Sequence, residues 1–361
     1  MPTMESPEAS VPMRPLVQIA PMLDISYYEF RQFIRLLTKR AQIWTEMFPD
    51  ATVLHAEEDT LNHMLESTPN EHPIVVQLGG NNIETLRRAA QVVVTYGYDE
   101  INLNVGCPSA RVCGKGAFGA ALMYEAALVR DIIKDLMDNV SVPVTVKHRL
   151  GVDHHDSYEF VRNFVCTVAA SGCKHFIVHA RKAWLNGINP KQNRSVPPLD
   201  YERVFKLSED FPDLNFTING GFKTIQDIKA ALDKGVHGVM VGRLAYENPC
   251  ELARIDTDVY GETANPDTCK TRRRLLEAYA NIIDATSYRN SRMHICMIVK
   301  PILGTFHGEP GTRAFRQALS DMTAYETLQY HKGKTKHAQF IHRAIDIMES
   351  VNPEALDRPL H

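Results

Sequence analysis

A chain of 361 residues, 44% of them hydrophobic and 23% charged, has the make-up of an ordinary water-soluble protein and enough length to bury a large core. No apolar run approaches the ~18 residues of a membrane-crossing helix, so no membrane role is expected. The net charge of −3 neither requires nor excludes a polyanionic partner.

In chain order, residues 1–14 carry Pro, Ser and Glu without an apolar centre and read as a disordered lead-in rather than a signal peptide. Short β-rich apolar runs then alternate with helix-period segments. The runs fall at 16–22, 42–47, 73–79, 100–105, 142–147, 175–180, 215–219 and 238–242, and several are nearly unbroken Val/Ile/Leu, as parallel strands covered on both faces should be. Helical segments lie between them, such as 84–96 after a Gly-Gly-Asn-Asn turn and 224–234 ended by Gly235. Eight strand–helix units predict a TIM (β/α)8 barrel over residues 15–262, and no Gly-x-Gly-x-x-Gly turn follows the first strand to suggest a Rossmann fold. Asn265-Pro266-Asp267 reads as a linker. Beyond it, 271–286, 293–303, 313–325 and 336–351 read as helices, with 304–311 a loop, giving a small helical bundle over 268–351 and a tail over 352–361.

Charge follows this division. Positions 270–343 hold 13 Lys/Arg against 5 Asp/Glu, leaving 27 basic and 38 acidic residues elsewhere. A basic C-terminal part on an acidic body predicts a polyanionic partner. The seven cysteines (107, 113, 166, 173, 250, 269 and 296) are scattered, without a Cys-x-x-Cys pair. That argues against a disulfide framework or structural zinc and for a reducing, cytoplasmic compartment. His154-His155 has no carboxylate or cysteine at ligand spacing and reads as a solvated loop.

In such a barrel the chemistry lies at the C-terminal strand ends, and here nearly every one is polar. They are Ala20-Pro21-Met22, Gln77-Leu78-Gly79-Gly80, Asn102 through Pro108, Lys147-His148-Arg149, His179-Ala180-Arg181, Asn219-Gly220-Gly221 and Gly242-Arg243. The glycines closing strands seven and eight stand where TIM barrels bind phosphate, and Arg243 can add a charged contact.

These motifs resemble the tRNA-dihydrouridine synthase family, most closely its A subfamily. The most specific pieces are Gly97-Tyr98-Asp99-Glu100-Ile101-Asn102-Leu103-Asn104-Val105-Gly106-Cys107-Pro108-Ser109 and His179-Ala180-Arg181-Lys182-Ala183-Trp184-Leu185. The resemblance implies FMN at the barrel mouth, reduced by NADPH. It places Pro21, Met22 and Leu23 along the flavin, Gln77 at its pyrimidine side, Lys147 near N1 and O2, and His179 beside it. Asn219, Gly220, Gly221, Gly242 and Arg243 are implied to take the ribityl phosphate. Cys107 is implied to give a proton to C5 of a tRNA uridine while hydride reaches C6; thiols are mostly protonated near neutral pH. Asn104 is expected to position the uracil. Lys191 with Arg194, and Arg313 with Arg316, match a signature for tRNA orientation and can each face one way. The resemblance implies positions 20 and 20a of the D-loop; tRNA is the expected partner, and no obligate protein partner is inferred. The segment 111–117 departs from the subfamily pattern in length and glycine content, and Cys113 within it has a weaker claim than Cys107.

Three other readings remain open at this point. They are an FMN barrel resembling dihydroorotate dehydrogenase that acts on a free pyrimidine, an aldolase using Lys147 or Lys182 as a Schiff base, and a non-catalytic tRNA chaperone.

Overall fold

The computed structural model describes residues 14–109, 118–290, 293–328 and 335–360. The expected lead-in, apart from Arg14, and the 111–117 segment with Cys113 lie outside the described residues.

Eight strands form one parallel sheet: β1 (Val17–Ile19), β2 (Ile43–Pro49), β3 (Ile74–Gly79), β4 (Glu100–Val105), β5 (Val144–Arg149), β6 (His175–His179), β7 (Asn215–Asn219) and β8 (Gly238–Val241). The sheet runs β1-β8-β7-β6-β5-β4-β3-β2. It closes where Gln18 bridges Gln42, with Ile19 N–H donating to the Gln42 carbonyl at 2.8 Å and Gln42 N–H to that of Val17 at 3.0 Å. The TIM barrel expected from the run spacing is present.

The period-two alternation of each strand divides its residues between two cores. Ile101, Leu103 and Val105 of β4 join Val76, Leu78, Val146 and Val178 in the large cluster under the helices. The opposite faces point into the barrel, where Trp44, Val75, Ile177 and Met240 pack together below Ala20 and Met22. Several inward positions are polar and buried: Gln18, Gln77, Asn102, Thr145 and Thr217. This interior is therefore part apolar packing and part hydrogen-bond network.

The barrel helices are α1 (Tyr28–Leu37), α2 (Asp50–His55), α3 (Glu58–Leu65), α4 (Ile83–Val94), α5 (Ala126–Asn139), α6 (Tyr158–Ala169), α7 (Tyr201–Asp210) and α8 (Ile225–Leu232). Their starts are set by caps: Asn82 accepts from Thr85 N–H, Ser157 from Phe160, Asp200 from Arg203, and Thr224 with Asp227 forms a capping box. Further helices follow β8: α9 (Leu244–Glu247), α10 (Ile255–Asp258), α11 (Arg272–Ala285), α12 (Ser287–Asn290), α13 (Ile295–Val299), α14 (Thr312–Ala318), α15 (Met322–Thr327), α16 (Lys336–Val351) and α17 (Pro353–Asp357).

Helix α1 is buried on nearly every side, because α11 covers the face that a lone barrel would expose. Phe33 meets Tyr279 edge-on at 5.4 Å, and the Tyr279 hydroxyl donates to the Ile298 carbonyl at 2.7 Å. Arg31 pairs with Glu71 at 2.5 Å with both side chains enclosed, and Arg289 of α12 pairs with Glu66. The helix expected over 313–325 is two helices, because Asp321 accepts from Ala324 N–H and starts a new one. The expected tail also holds a helix: Asn352 caps α17, and Leu356 is fully buried. No helix among the described residues is long and apolar enough to cross a membrane.

Candidate active site at the barrel mouth

Because all eight strands are parallel, their C-terminal ends open on one side. At the end of β4, Asn104 Oδ1 accepts from the N–H groups of Gly106 (3.1 Å) and Cys107 (2.9 Å), which folds the chain into the turn carrying the thiol. Ala120 N–H donates to the Cys107 carbonyl at 2.9 Å. Cys107 is half-buried and in no disulfide. Arg149, not singled out from the sequence beyond its place at a strand end, fixes the same turn. Its Nε donates to the Gly106 carbonyl at 2.8 Å, and its Nη1 to the carbonyls of Lys182 and Asn193 at 3.1 Å. Burial lowers the Arg149 pKa to about 10, which leaves it charged at neutral pH.

Gln77 and Asn104 are bonded to each other: Asn104 Nδ2 donates to Gln77 Oε1 at 2.8 Å. Gln77 is only 1% exposed, deeper than an expected flavin contact. Asn104 has both lone-pair sites of its oxygen and one N–H committed, leaving a single N–H for a ligand.

Lys147 and His179 share the mouth. Lys147 Nζ donates to Asn219 Oδ1 at 3.2 Å, and Asn219 Nδ2 to the Met240 carbonyl at 2.8 Å. Burial, reinforced by Arg149 and opposed by Cys107, lowers the Lys147 pKa to about 7. Burial first, then the charges of Arg149, Lys147, Arg181 and Arg243, hold His179 well below the ordinary histidine range, so its imidazole is neutral. None of Lys147, Arg149, Arg181, Arg194 or Arg243 is ion-paired with a carboxylate among the described residues. The mouth therefore gathers basic side chains with no carboxylate partner among the described residues.

Gly220 and Gly221 have φ of +121° and +81°, the left-handed region that favours glycine. A Cβ would stand 2.9 Å from His179 Cδ2 at Gly220 and 2.5 Å from Leu199 Cδ1 at Gly221. Tyr201 donates its hydroxyl to the Gly220 carbonyl at 2.5 Å and stacks on Phe222. Gly242 carries no such crowding; a Cβ there would meet Met22 Sδ at an ordinary 3.6 Å. Gly221, Gly242 and Arg243 line a cavity of about 260 Å³ with Lys223, Asn248 and His307. His307 comes from beyond the barrel, and nothing in the sequence around it marks that position.

Pro21 and Met22 are half-buried at the end of β1, while Leu23 is 70% exposed. The next residue, Asp24, has φ +59° and is held at both ends: its N–H donates to Glu46, and Lys300 Nζ donates to its carbonyl at 2.6 Å.

Lys182 is taken out of the mouth, since its ammonium pairs with Asp156 at 2.6 Å and lies 4.3 Å from the Trp184 ring centroid. His154 and His155 pack edge-on against Trp184 and Tyr124. Lys191 and Arg194 are exposed on one 3-10 turn above the mouth, and Arg243 Nη2 donates to the Arg194 carbonyl at 3.4 Å. Arg313 and Arg316 are exposed on α14 and line a shallow hollow with Thr312, Gln317 and Ser320. These four basic residues form no carboxylate ion pair among the described residues.

Residues 18–343 match the family model described as dihydrouridine synthase (Dus). The tRNA-dihydrouridine(20/20a) synthase of Shewanella oneidensis is 45% identical over 303 residues, covering 84% of this chain and 87% of the relative. That of Yersinia pestis is 46% identical over 323 residues, covering 88% and 90%. That of Escherichia coli K12 is 45% identical over 304 residues, covering 84% and 85%. With the match running from the first strand into the last long helix, the chain belongs to the dihydrouridine synthase family.

Proposed function

We propose that this protein reduces the C5–C6 double bond of D-loop uridines in tRNA, at positions 20 and 20a as in its relatives, using FMN and NADPH in the cytoplasm. The observation that carries the reading is the barrel mouth itself, where unpaired cations, a glycine cradle and one thiol converge. The residues fit a flavin mononucleotide: Gly221 and Gly242 bring backbone to the edge of the cavity that Arg243, Lys223 and His307 also border, the kind of place where TIM barrels bind phosphate. When bound, FMN would supply hydride chemistry for C6 of the uracil ring.

The chain's own residues do the rest. Lys147 presents an ammonium where negative charge gathers, and His179, held neutral, adds none of its own. Pro21, Met22 and Leu23 form the rim, and Gln77 with Asn219 braces the cations and amides around it. Cys107 delivers its thiol proton to C5, and the spare N–H of Asn104 is available to a uracil carbonyl. Lys191, Arg194, Arg313 and Arg316 hold tRNA phosphates. The target base must leave its stack, at a cost of a few kcal/mol, and remote phosphate contacts offset this.

The test compares full-length unmodified tRNA with a free uridine nucleotide as oxidant of the reduced enzyme. Turnover of tRNA with little turnover of the nucleotide is expected. Equal turnover of both would return the free-pyrimidine reading to first place.

A further inference from the structure

The turn that carries Cys107 is tied to the far end of its own strand by a hydrogen-bond chain with a single direction. Backbone N–H groups of Gly106 and Cys107 donate to Asn104 Oδ1. Asn104 Nδ2 donates to Gln77 Oε1 at 2.8 Å, Gln77 Nε2 to Asn102 Oδ1 at 2.8 Å, and Asn102 Nδ2 to Thr145 Oγ1 at 2.9 Å. The Thr145 hydroxyl then donates to Glu100 Oε1 at 2.5 Å. Every side chain in this series is buried.

The direction is fixed from both ends. Backbone N–H groups can only donate, so Asn104 must turn its oxygen to them, and each amide below is then oriented in turn. At the other end Glu100 offers an acceptor oxygen to Thr145. Reversing any one amide would set donor against donor in a buried site, where an unmade hydrogen bond is not replaced by water. Glu100 has no cationic partner among the described residues, and burial raises its carboxyl to about 7. Both protonation states keep an acceptor oxygen for Thr145, so the chain survives the titration.

We infer that Glu100, through Thr145 and Asn102, is a positioning residue for proton delivery: it terminates the chain that holds Asn104 on the Cys107 turn. This rests on the proposed role of Cys107. The packing alternative, that these polar groups merely fill the barrel, does not require one direction throughout.

Two substitutions separate the possibilities. Thr145→Val keeps shape but removes the hydroxyl, and Thr145→Ser restores it. Hydrogen exchange at the Gly106 and Cys107 amides, measured on the whole protein by mass spectrometry, reads the turn without relying on activity. Faster exchange in Thr145→Val and recovery in Thr145→Ser are expected. In rapid kinetics, oxidation of the reduced enzyme by tRNA should slow roughly 10- to 100-fold in Thr145→Val and return to within about threefold in Thr145→Ser, as misplacement of a reacting group on this scale implies. Reduction by NADPH should hold. Glu100→Leu supplies an independent variant should Thr145→Val fail to fold. It removes the acceptor to which Thr145 donates, so exchange at the two amides should quicken and oxidation by tRNA should slow, in the same direction as in Thr145→Val. Unchanged exchange and unchanged tRNA oxidation in Thr145→Val, or in Glu100→Leu, would overturn the inference. A wild-type protein that leaves tRNA unreduced would instead sink the proposed function while the exchange result still judged the chain.

Discussion

Replacing Lys147 with Met should stabilise the flavin-free protein at neutral and mildly acidic pH. The ammonium is held half-buried beside Arg149, with the Asn219 side-chain oxygen its one hydrogen-bond acceptor among the described residues, and its pKa falls from 10.5 to about 7. Each tenfold change in proton affinity is worth about 1.4 kcal/mol, so the ceiling on this cost is roughly 5 kcal/mol. Water reaching a half-exposed side chain screens much of it, and roughly 2 kcal/mol is the working figure. The sign follows from proton counts: between the folded value near 7 and the unfolded value of 10.5 the unfolded chain binds the extra proton, so wild-type stability rises with pH across that window. Thermal unfolding of both flavin-free proteins should show the variant's advantage largest at pH about 6.5 and mostly gone by pH about 9.5. The same variant should hold FMN poorly, because the proposed partner of the negative charge on reduced flavin is this ammonium. A pH-independent gap, or a variant less stable throughout, would refute the assignment of Lys147 as a strained cation.

Two further outcomes follow from the same surfaces. Replacing Arg313 and Arg316 together with Ala should weaken tRNA binding and lower the slope of log K against log salt by somewhat under about one unit per lost contact, with flavin content unchanged; an unaltered slope would remove α14 from the interface. Gly221→Ala should weaken FMN retention at least ~10-fold, since the new Cβ meets Leu199 in a left-handed backbone. Full flavin content in that variant, measured after gel filtration, would show that the cradle does not hold the phosphate.

The barrel was legible because its strands are buried on both faces and so carry unbroken apolar runs bounded by glycine and polar ends. Strand bounds differ from expectation by one to three residues, most at β1, where the strand ends at Ile19 and Ala20-Pro21-Met22 follow it. The break between α14 and α15 was hidden because Phe315, Ala318, Leu319 and Met322 keep helical spacing across it, while the cap at Asp321 overrides that pattern. Helix α17, expected as tail, does carry a local signal, since Asn352-Pro353 is a cap followed by proline at the first helical position. Within the site, strand-end chemistry marked Cys107, Lys147 and the glycines. What a linear pattern could not give was the coupling of Gln77 to Asn104, because it depends on strands β3 and β4 meeting in one register and on acceptors at the strand's opposite end. His307 is a similar case, brought to the cavity by the packing of the C-terminal helices.

Under the proposed function, reduced flavin and Cys107 act together on a uridine in tRNA, and the two half-reactions of Cys107→Ala, measured separately, decide whether they do. Rapid mixing with NADPH should reduce the bound flavin at close to the wild-type rate, since that step needs no proton from the thiol. Mixing the reduced variant with unmodified tRNA should reoxidise it ~10² to 10⁴ times more slowly, the usual contribution of a positioned general acid. Dihydrouridine mapped in the product tRNA should fall in parallel. Reoxidation by tRNA at the wild-type rate, with dihydrouridine formed normally, would contradict the account.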